Sequence, residues 1–562
     1  MEQESKTLWW LQAIQTGLIG GVVAVLASLI GMVESFHERD IIAGQITMGQ
    51  VVILLIAVGF SFQSSKRFEI NNIFKSLSSG ALSGLATGAM LALLVWLGTT
   101  YNLREVLVNS SPALYQILTF QSENPSDALA YIVLAGAGLG VLTALVHLIP
   151  TSWRRAVISG LMVALLIALL QDLIRITLSS FTAITESIAW MFGTRGEKGL
   201  SVVGAVVVFI VVTLLNYFWT TRGDAIRNRT QALPAQTRSG LRWVSWALLA
   251  AFLLIWPRIA GPYLSEVSNS VGLFILMGLG LNIVVGYAGL LDLGYVAFFA
   301  LGAYAMAVLT TTGGEITATF QLTFWEALPI SVLVAILAGV LLGVPVLKIR
   351  GDYLAIITLG FGEIIRIMFL SDFLKPYLGG SFGIVEIAPP IIGGTVLNTS
   401  QTLYYLILAS CLLALFVAYR LRDSRIGRAW KAIREDEDVA QAMGINLTST
   451  KLLAFATGAG FGGLSGAIFA AKLSTVYPHS FVLLVSINVL ALIIVGGMGS
   501  LPGVIVGALL LVGLPELLRE FSEFRLLIYG ILLIVMMINK PEGFLPESVH
   551  KRELHQEDNV AL

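Results

Sequence analysis

Residues 419–451, YRLRDSRIGRAWKAIREDEDVAQAMGINLTSTK, form a strongly polar island in an otherwise apolar half-chain. Six cations fall within 15 residues, at Arg420, Arg422, Arg425, Arg428, Lys431 and Arg434. Four acids follow at Glu435, Asp436, Glu437 and Asp438, and an apolar helix resumes near Leu452. Short loops rich in Lys and Arg resist translocation, so this one is expected on the cytoplasmic side of a membrane. Within it, Gly427–Met443 reads as an amphipathic helix. Trp430, Ile433, Ala440 and Met443 recur at helical spacing, and Gly444 supplies a stop. Such a helix, lying across the cytoplasmic mouth of a membrane protein, can serve as a handle for a partner. The competing reading is a solvated anchor, and periodicity does not separate the two.

Composition sets the frame for that loop. The chain has 562 residues, of which 56% are hydrophobic and 12% charged, with a mean hydropathy of +0.86. Soluble domains carry about 25% charged residues, so the class is an all-α, polytopic transmembrane helical bundle. A formal net charge of zero argues against a nucleic-acid partner. The single cysteine, Cys411, lies in an apolar run and leaves no internal disulfide. Glu2, Glu4 and Lys6 precede a long apolar span, which suits an uncleaved first helix better than a cleaved signal peptide.

Apolar runs predict about 14–16 spans, short or broken helices included. Six fall in the first part, at 8–33, 47–63, 77–98, 128–149, 156–178 and 200–219. A basic linker, 220–242, follows, and spans resume at 243–260, 269–288, 292–311, 327–347, 353–370 and 402–420. Beyond the charged loop come 452–472, 484–497, 503–518 and 525–539. With the N-terminus inside, Lys66, Arg67, Arg154, Arg155, Lys348, Arg350 and the charged loop all fall inside. Counting 484–497 and 503–518 as two crossings puts the C-terminus inside as well. The expected organisation is an N-terminal extension (1–219), the linker, a core (243–545) and a tail (546–562).

No enzyme signature is present. Gly193-Thr-Arg-Gly-Glu-Lys198 fails the spacing of a phosphate loop, and the five His are scattered, so no cofactor, metal or catalytic group is expected. A pump of this kind takes its energy from another chain or from an ion gradient. In the extension, Gly80, Gly84 and Gly88 form a ladder suited to close helix packing, and Asp172 and Arg175 share a helix face.

Four stretches of the core stand out. Gly278–Tyr304, GLGLNIVVGYAGLLDLGYVAFFALGAY, places Asn282 and Asp292 in a Gly-rich apolar run. It reads either as a turn capped by Asp292 or as a break in a span where polar groups meet a solute. Gly351–Arg366 carries Glu363 and Arg366 three apart, which can line a path or hold helices together. Gly458, Gly462 and Gly466 make a smooth helix face for packing. Gly496–Gly503 separates two short apolar pieces whose helix ends can face a substrate carboxylate. Asn282, Asp292, Tyr304, Glu363, Arg366, Gly497 and Gly499 are therefore the candidate translocation-path residues.

These stretches resemble the permeases of ABC importers, and specifically the LivM-type branched-chain amino acid subfamily. Asp438-Val439-Ala440 followed by Gly444 is similar to the Glu-Ala-Ala…Gly loop of such permeases. SRIGRAWKAIRED, GLGLNIVVGYAGLLDLGYVAFFALGAY and GGMGSLPGVIVGA resemble the subfamily itself, over roughly 243–545. Leu378-Gly379-Gly380-Ser381-Phe382-Gly383-Ile384 departs from the family's TGGxxGI-like run at Leu378 and Phe382. The resemblance implies a bacterial inner-membrane location and transport of branched-chain or other neutral amino acids. It implies ATPase subunits docking at Gly427, Arg428, Trp430, Ile433, Arg434, Asp438, Val439, Ala440 and Gly444. A second related permease and a soluble or lipid-anchored substrate-binding protein complete the implied assembly. A urea or short-amide permease is the nearest alternative. An ion-coupled transporter working alone, using Asp292, Glu363 and Arg366, is the alternative from another class.

Overall fold

The computed structural model describes residues 9–67, 73–120, 125–178, 188–193, 199–231, 235–312, 321–346, 352–517 and 524–546. Twelve of its helices are long and apolar enough to cross a membrane, and three shorter apolar helices accompany them, among the described residues. The chain is thus a multi-pass helical membrane protein. It divides into two compact units, Met1–Leu249 and Ala250–Leu562.

The first unit holds α1 (Trp9–Leu29), α2 (Met48–Lys66), α3 (Ile73–Thr100), α4 (Pro125–Leu148), α5 (Thr151–Leu169) and α6 (Val202–Gln231). The Gly80/Gly84/Gly88 ladder packs α3 on α4. A Cβ at Gly84 would lie 2.1 Å from the Gly136 carbonyl, and one at Gly140 would lie 2.1 Å from the Gly80 carbonyl. Backbones this close gain dispersion contacts that bulkier side chains would forbid, which is how helices associate in lipid. The span expected over 156–178 breaks at Leu170, between α5 and a second helix, Gln171–Leu178. Arg175 donates to the Gly193 carbonyl at 2.9 Å and stacks on Phe192.

The second unit is built around α7 (Ala235–Leu281) from Ala250 onward, α8 (Val296–Thr310), α9 (Phe324–Val346) and α10 (Asp352–Leu370). It continues with α11 (Ser400–Arg422), α12 (Arg425–Glu435), α13 (Glu437–Ala442) and α14 (Leu447–Leu473). It closes with α15 (Leu483–Gly496), α16 (Leu501–Ala508) and α17 (Arg525–Asn539). The spans expected at 243–260 and 269–288 fall in α7, which is two helices meeting at Gly261, where the backbone (φ 71°, ψ −176°) is not helical, between Pro257 and Pro262. A π-helical turn, Asn282–Tyr287, ends it, and α8 begins only at Val296.

The core lies where α8 crosses α14. A Cβ at Gly302 would sit 2.3 Å from the Gly463 carbonyl, and one at Gly466 1.9 Å from the Phe299 carbonyl. Gly458 and Gly462 meet Val284 and Phe298, so all three glycines of the smooth face serve packing. On α9, Leu333, Leu337, Leu341 and Val344 are exposed, the apolar exterior that a lipid-facing helix requires. α15 and α16 form an antiparallel hairpin, Gly496 against Gly503 and Leu492 against Gly507. They are two separate helices joined by a tight turn. A short strand, Ile384–Val385, pairs antiparallel with Thr475–Val476.

Candidate functional site at the charged loop and the broken helices

The expected helix over 427–443 is two helices. Asp436 is extended (φ −157°, ψ 116°), and its carboxylate accepts from the backbone N–H of Asp438 at 2.8 Å and Val439 at 2.9 Å. It is an N-cap, and capping of α13 outweighs continuation of α12. Ser424 caps α12 by accepting from the Gly427 N–H at 3.2 Å. At Gly427 a Cβ would lie 2.2 Å from the Leu421 carbonyl, so the tight turn out of α11 requires glycine there. Gly444 takes the left-handed conformation (φ 87°) that ends α13.

The apolar side of this loop faces inward. Trp430 is fully buried, and its indole N–H donates to the Thr450 carbonyl at 2.8 Å. Ile433 and Ala440 are buried beside it. Lys451, 3% exposed, pairs with Glu437 at 2.7 Å and ties α13 to α14. Arg428 and Asp438 point outward. So do two apolar side chains one turn apart on α13, Val439 (59% exposed) and Met443 (80%). Arg422 hydrogen-bonds Asp423 and holds its carboxyl below the usual carboxylate range. Arg434 turns inward and donates to the Gly286 carbonyl at 2.6 Å, while the Lys431 ammonium sits 5.8 Å from the Tyr287 ring centre.

The candidate path residues separate into groups. Asn282 is fully buried, and its side-chain oxygen accepts from the Gly499 N–H at 2.9 Å. Gly497 (φ 115°) and Gly499 (φ 80°) form the α15–α16 turn, and a Cβ at Gly497 would lie 2.8 Å from the Leu545 carbonyl. Asp292 is also fully buried, in the segment between the π turn and α8. One of its oxygens accepts from the Gly294 N–H at 2.9 Å, and the other, Oδ2, has no partner among the described residues. Asp292 thus caps a turn that lies where the helix is interrupted, between the π turn and α8. Tyr304 packs in the core, its ring centre 3.9 Å from that of Phe369. Glu363 and Arg366 pair on α10 through two further contacts at 3.0 and 3.1 Å, with side chains 41% and 23% exposed.

Sequence reasoning passed over Thr358 and Ser486. Thr358 accepts from the Leu293 N–H at 3.0 Å, and Ser486 from the Val296 N–H at 2.9 Å. Both satisfy backbone donors freed where the helix is interrupted. The signal available was the position of each hydroxyl residue inside an apolar run. Among the described residues no three His, Cys, Asp or Glu side chains gather to hold a metal.

Residues 263–538 match the family model described as branched-chain amino acid transport system / permease component. The high-affinity branched-chain amino acid transport system permease protein LivM of Salmonella typhimurium is 41% identical over 324 residues, 53% of this chain and 74% of the relative. The chain belongs to this permease family. LivM of Escherichia coli is 40% identical over 323 residues, 53% of this chain and 73% of that protein. The permease also matches LivH of Salmonella typhimurium, 24% identical over 310 residues, 50% of this chain and 95% of LivH. No solved structure matches it.

Proposed function

We propose that this chain is the membrane subunit of an ABC importer, forming the path for branched-chain or other neutral amino acids. Separate ATPase subunits dock on the outward face of α12 and α13. The observation that carries the reading is the exposure of Val439 and Met443, with Ile426 partly exposed as well, on a loop whose Trp430, Ile433 and Ala440 are buried. Apolar side chains held in water on a rigid, capped helix are the usual anchors of an interface. Arg428 and Asp438 supply its polar rim. The docking residues are then Arg428, Asp438, Val439, Met443 and Gly444, while Gly427, Trp430, Ile433 and Ala440 hold the loop in shape.

Membership of a family that includes both LivM and LivH supports a second, related permease beside this one. A substrate-binding protein would meet the opposite face. The chain lies in the inner membrane of a bacterial cell, with the charged loop and both termini on the cytoplasmic side. Residues 1–219 are an extension, 220–242 a linker, 243–545 the permease core and 546–562 a tail.

One observation favours a second reading, an ion-coupled transporter working alone: the buried Asp292 with its unpartnered oxygen. The test is purification of the full-length chain from its own cells in mild detergent. An ATPase subunit and a second permease in constant ratio are expected. Repeated recovery of the chain alone would favour ion coupling and refute the importer reading.

A further inference from the structure

The π turn that ends α7 is held from two sides. Its own backbone bonds run from the Ala288 N–H to the Ile283 carbonyl (3.1 Å), from Gly289 to Val285 (3.2 Å) and from Leu290 to Val284 (3.0 Å). These bonds pass over the Gly286 carbonyl, which accepts instead from Arg434 Nη1 at 2.6 Å. A cation at the negative end of a helix is favourable, and a guanidinium reaching a carbonyl makes a strong, directional bond. Gly289 (φ 69°) lets α12 come this close, because a Cβ there would lie 2.9 Å from Arg434 Cγ.

One turn earlier, Asn282 carries the second grip. Its side-chain oxygen accepts from the Gly499 N–H at the tip of the α15–α16 hairpin. Gly286 is the glycine that makes room for it: a Cβ there would lie 2.2 Å from Asn282 Oδ1 and 2.8 Å from the Gly499 nitrogen. The hairpin tip is latched in turn, with Phe544 and Leu545 N–H groups donating to the Val495 and Gly496 carbonyls, each at 2.9 Å. Arg434, the π turn, Asn282 and the hairpin tip are therefore joined in series. Single π turns of this kind recur at functional sites.

We propose that Arg434 is the positioning residue that carries movement of the docking helix into the membrane. It pulls on the Gly286 carbonyl, and Asn282 passes the displacement to the α15–α16 hairpin. The proposal deepens the importer reading and rests on it. Arg434 then belongs to the transmission path and not to the ATPase contact.

The test uses the complete transporter, this chain with its ATPase and second permease, in proteoliposomes. Bound ATPase, ATP hydrolysis and leucine carried per ATP are measured for wild type, Arg434→Ala, Arg434→Lys and Asn282→Ala. Arg434→Ala is expected to keep its ATPase bound and hydrolysing, while leucine per ATP falls about ten-fold, the scale of one lost charge-assisted hydrogen bond. Asn282→Ala is expected to give a similar loss, and the double variant to be no worse than either single one, because both act on one path. Arg434→Lys keeps the charge but not the fork, and an intermediate loss is expected. A wild-type ratio in Arg434→Ala overturns the proposal, as does loss of bound ATPase in step with loss of transport. Where Arg434→Ala yields no folded chain, a wild-type ratio in Arg434→Lys overturns it. A wild-type preparation with no ATPase refutes the importer reading instead, so the two failures are distinguishable.

Discussion

Met443→Asp tests the docking face without touching the fold. The side chain is 80% exposed, so little of its surface is buried within this chain. Burying a methionine side chain against a partner is worth roughly 1.5–3 kcal/mol. Four-fifths of that gives about 1.2–2.4 kcal/mol, or a Kd raised about 8–60-fold when the apolar contact is lost. The added carboxylate must also be desolvated against the partner, which pushes the effect to the upper end. The assay is an equilibrium titration of purified ATPase subunit against the permease in nanodiscs, with thermal unfolding measured alongside. Unfolding is expected to be unchanged, because exposed substitutions usually stay within about 0.5 kcal/mol. An unchanged Kd, within two-fold, would refute the argument that α13 is the contact.

Trp430→Ala should behave oppositely. Truncating a buried Trp costs about 3–5 kcal/mol and orphans the Thr450 carbonyl, so a lower unfolding temperature should accompany any loss of ATPase. Lys451→Met removes the ion pair to Glu437 and should destabilise the α13–α14 joint by about 1–3 kcal/mol, read by thermal unfolding. Adding Glu437→Gln should recover much of that loss. Gly466→Val drives a side chain into the Phe299 carbonyl and should remove most folded protein from detergent extracts. Gly360→Ala, with nothing within 4 Å of its Cβ, should be neutral or stabilising, as fluorescence-detected size exclusion would report.

Much of this architecture was legible because the bilayer imposes length and polarity on every span. Apolar runs located the helices, and the spacing of Gly80, Gly84 and Gly88 correctly marked a close helix contact. What periodicity could not say is which neighbour an apolar face meets. Trp430, Ile433 and Ala440 recur as a docking stripe would, yet they pack on their own bundle. Met443 shares the spacing of that stripe, yet with the helix broken at Asp436 it faces outward beside Val439. The break at Asp436 was hidden in a run of acids in which any one could cap a helix. The π turn was less accessible still. It depends on Arg434 and Gly499, which are 148 and 217 residues from the groups they bind. The boundary between the spans expected at 243–260 and 269–288 was legible as a gap between apolar runs, and the structure places it at Gly261, where the backbone leaves the helical region.

The account is tested most directly by leucine uptake into proteoliposomes holding the purified assembly, with ATP supplied to the side of the charged loop and ion gradients collapsed by ionophores. Uptake that needs ATP, persists without gradients and falls in Met443→Asp is the predicted result. Uptake by the chain alone, driven by a proton or sodium gradient and indifferent to ATP, would contradict it.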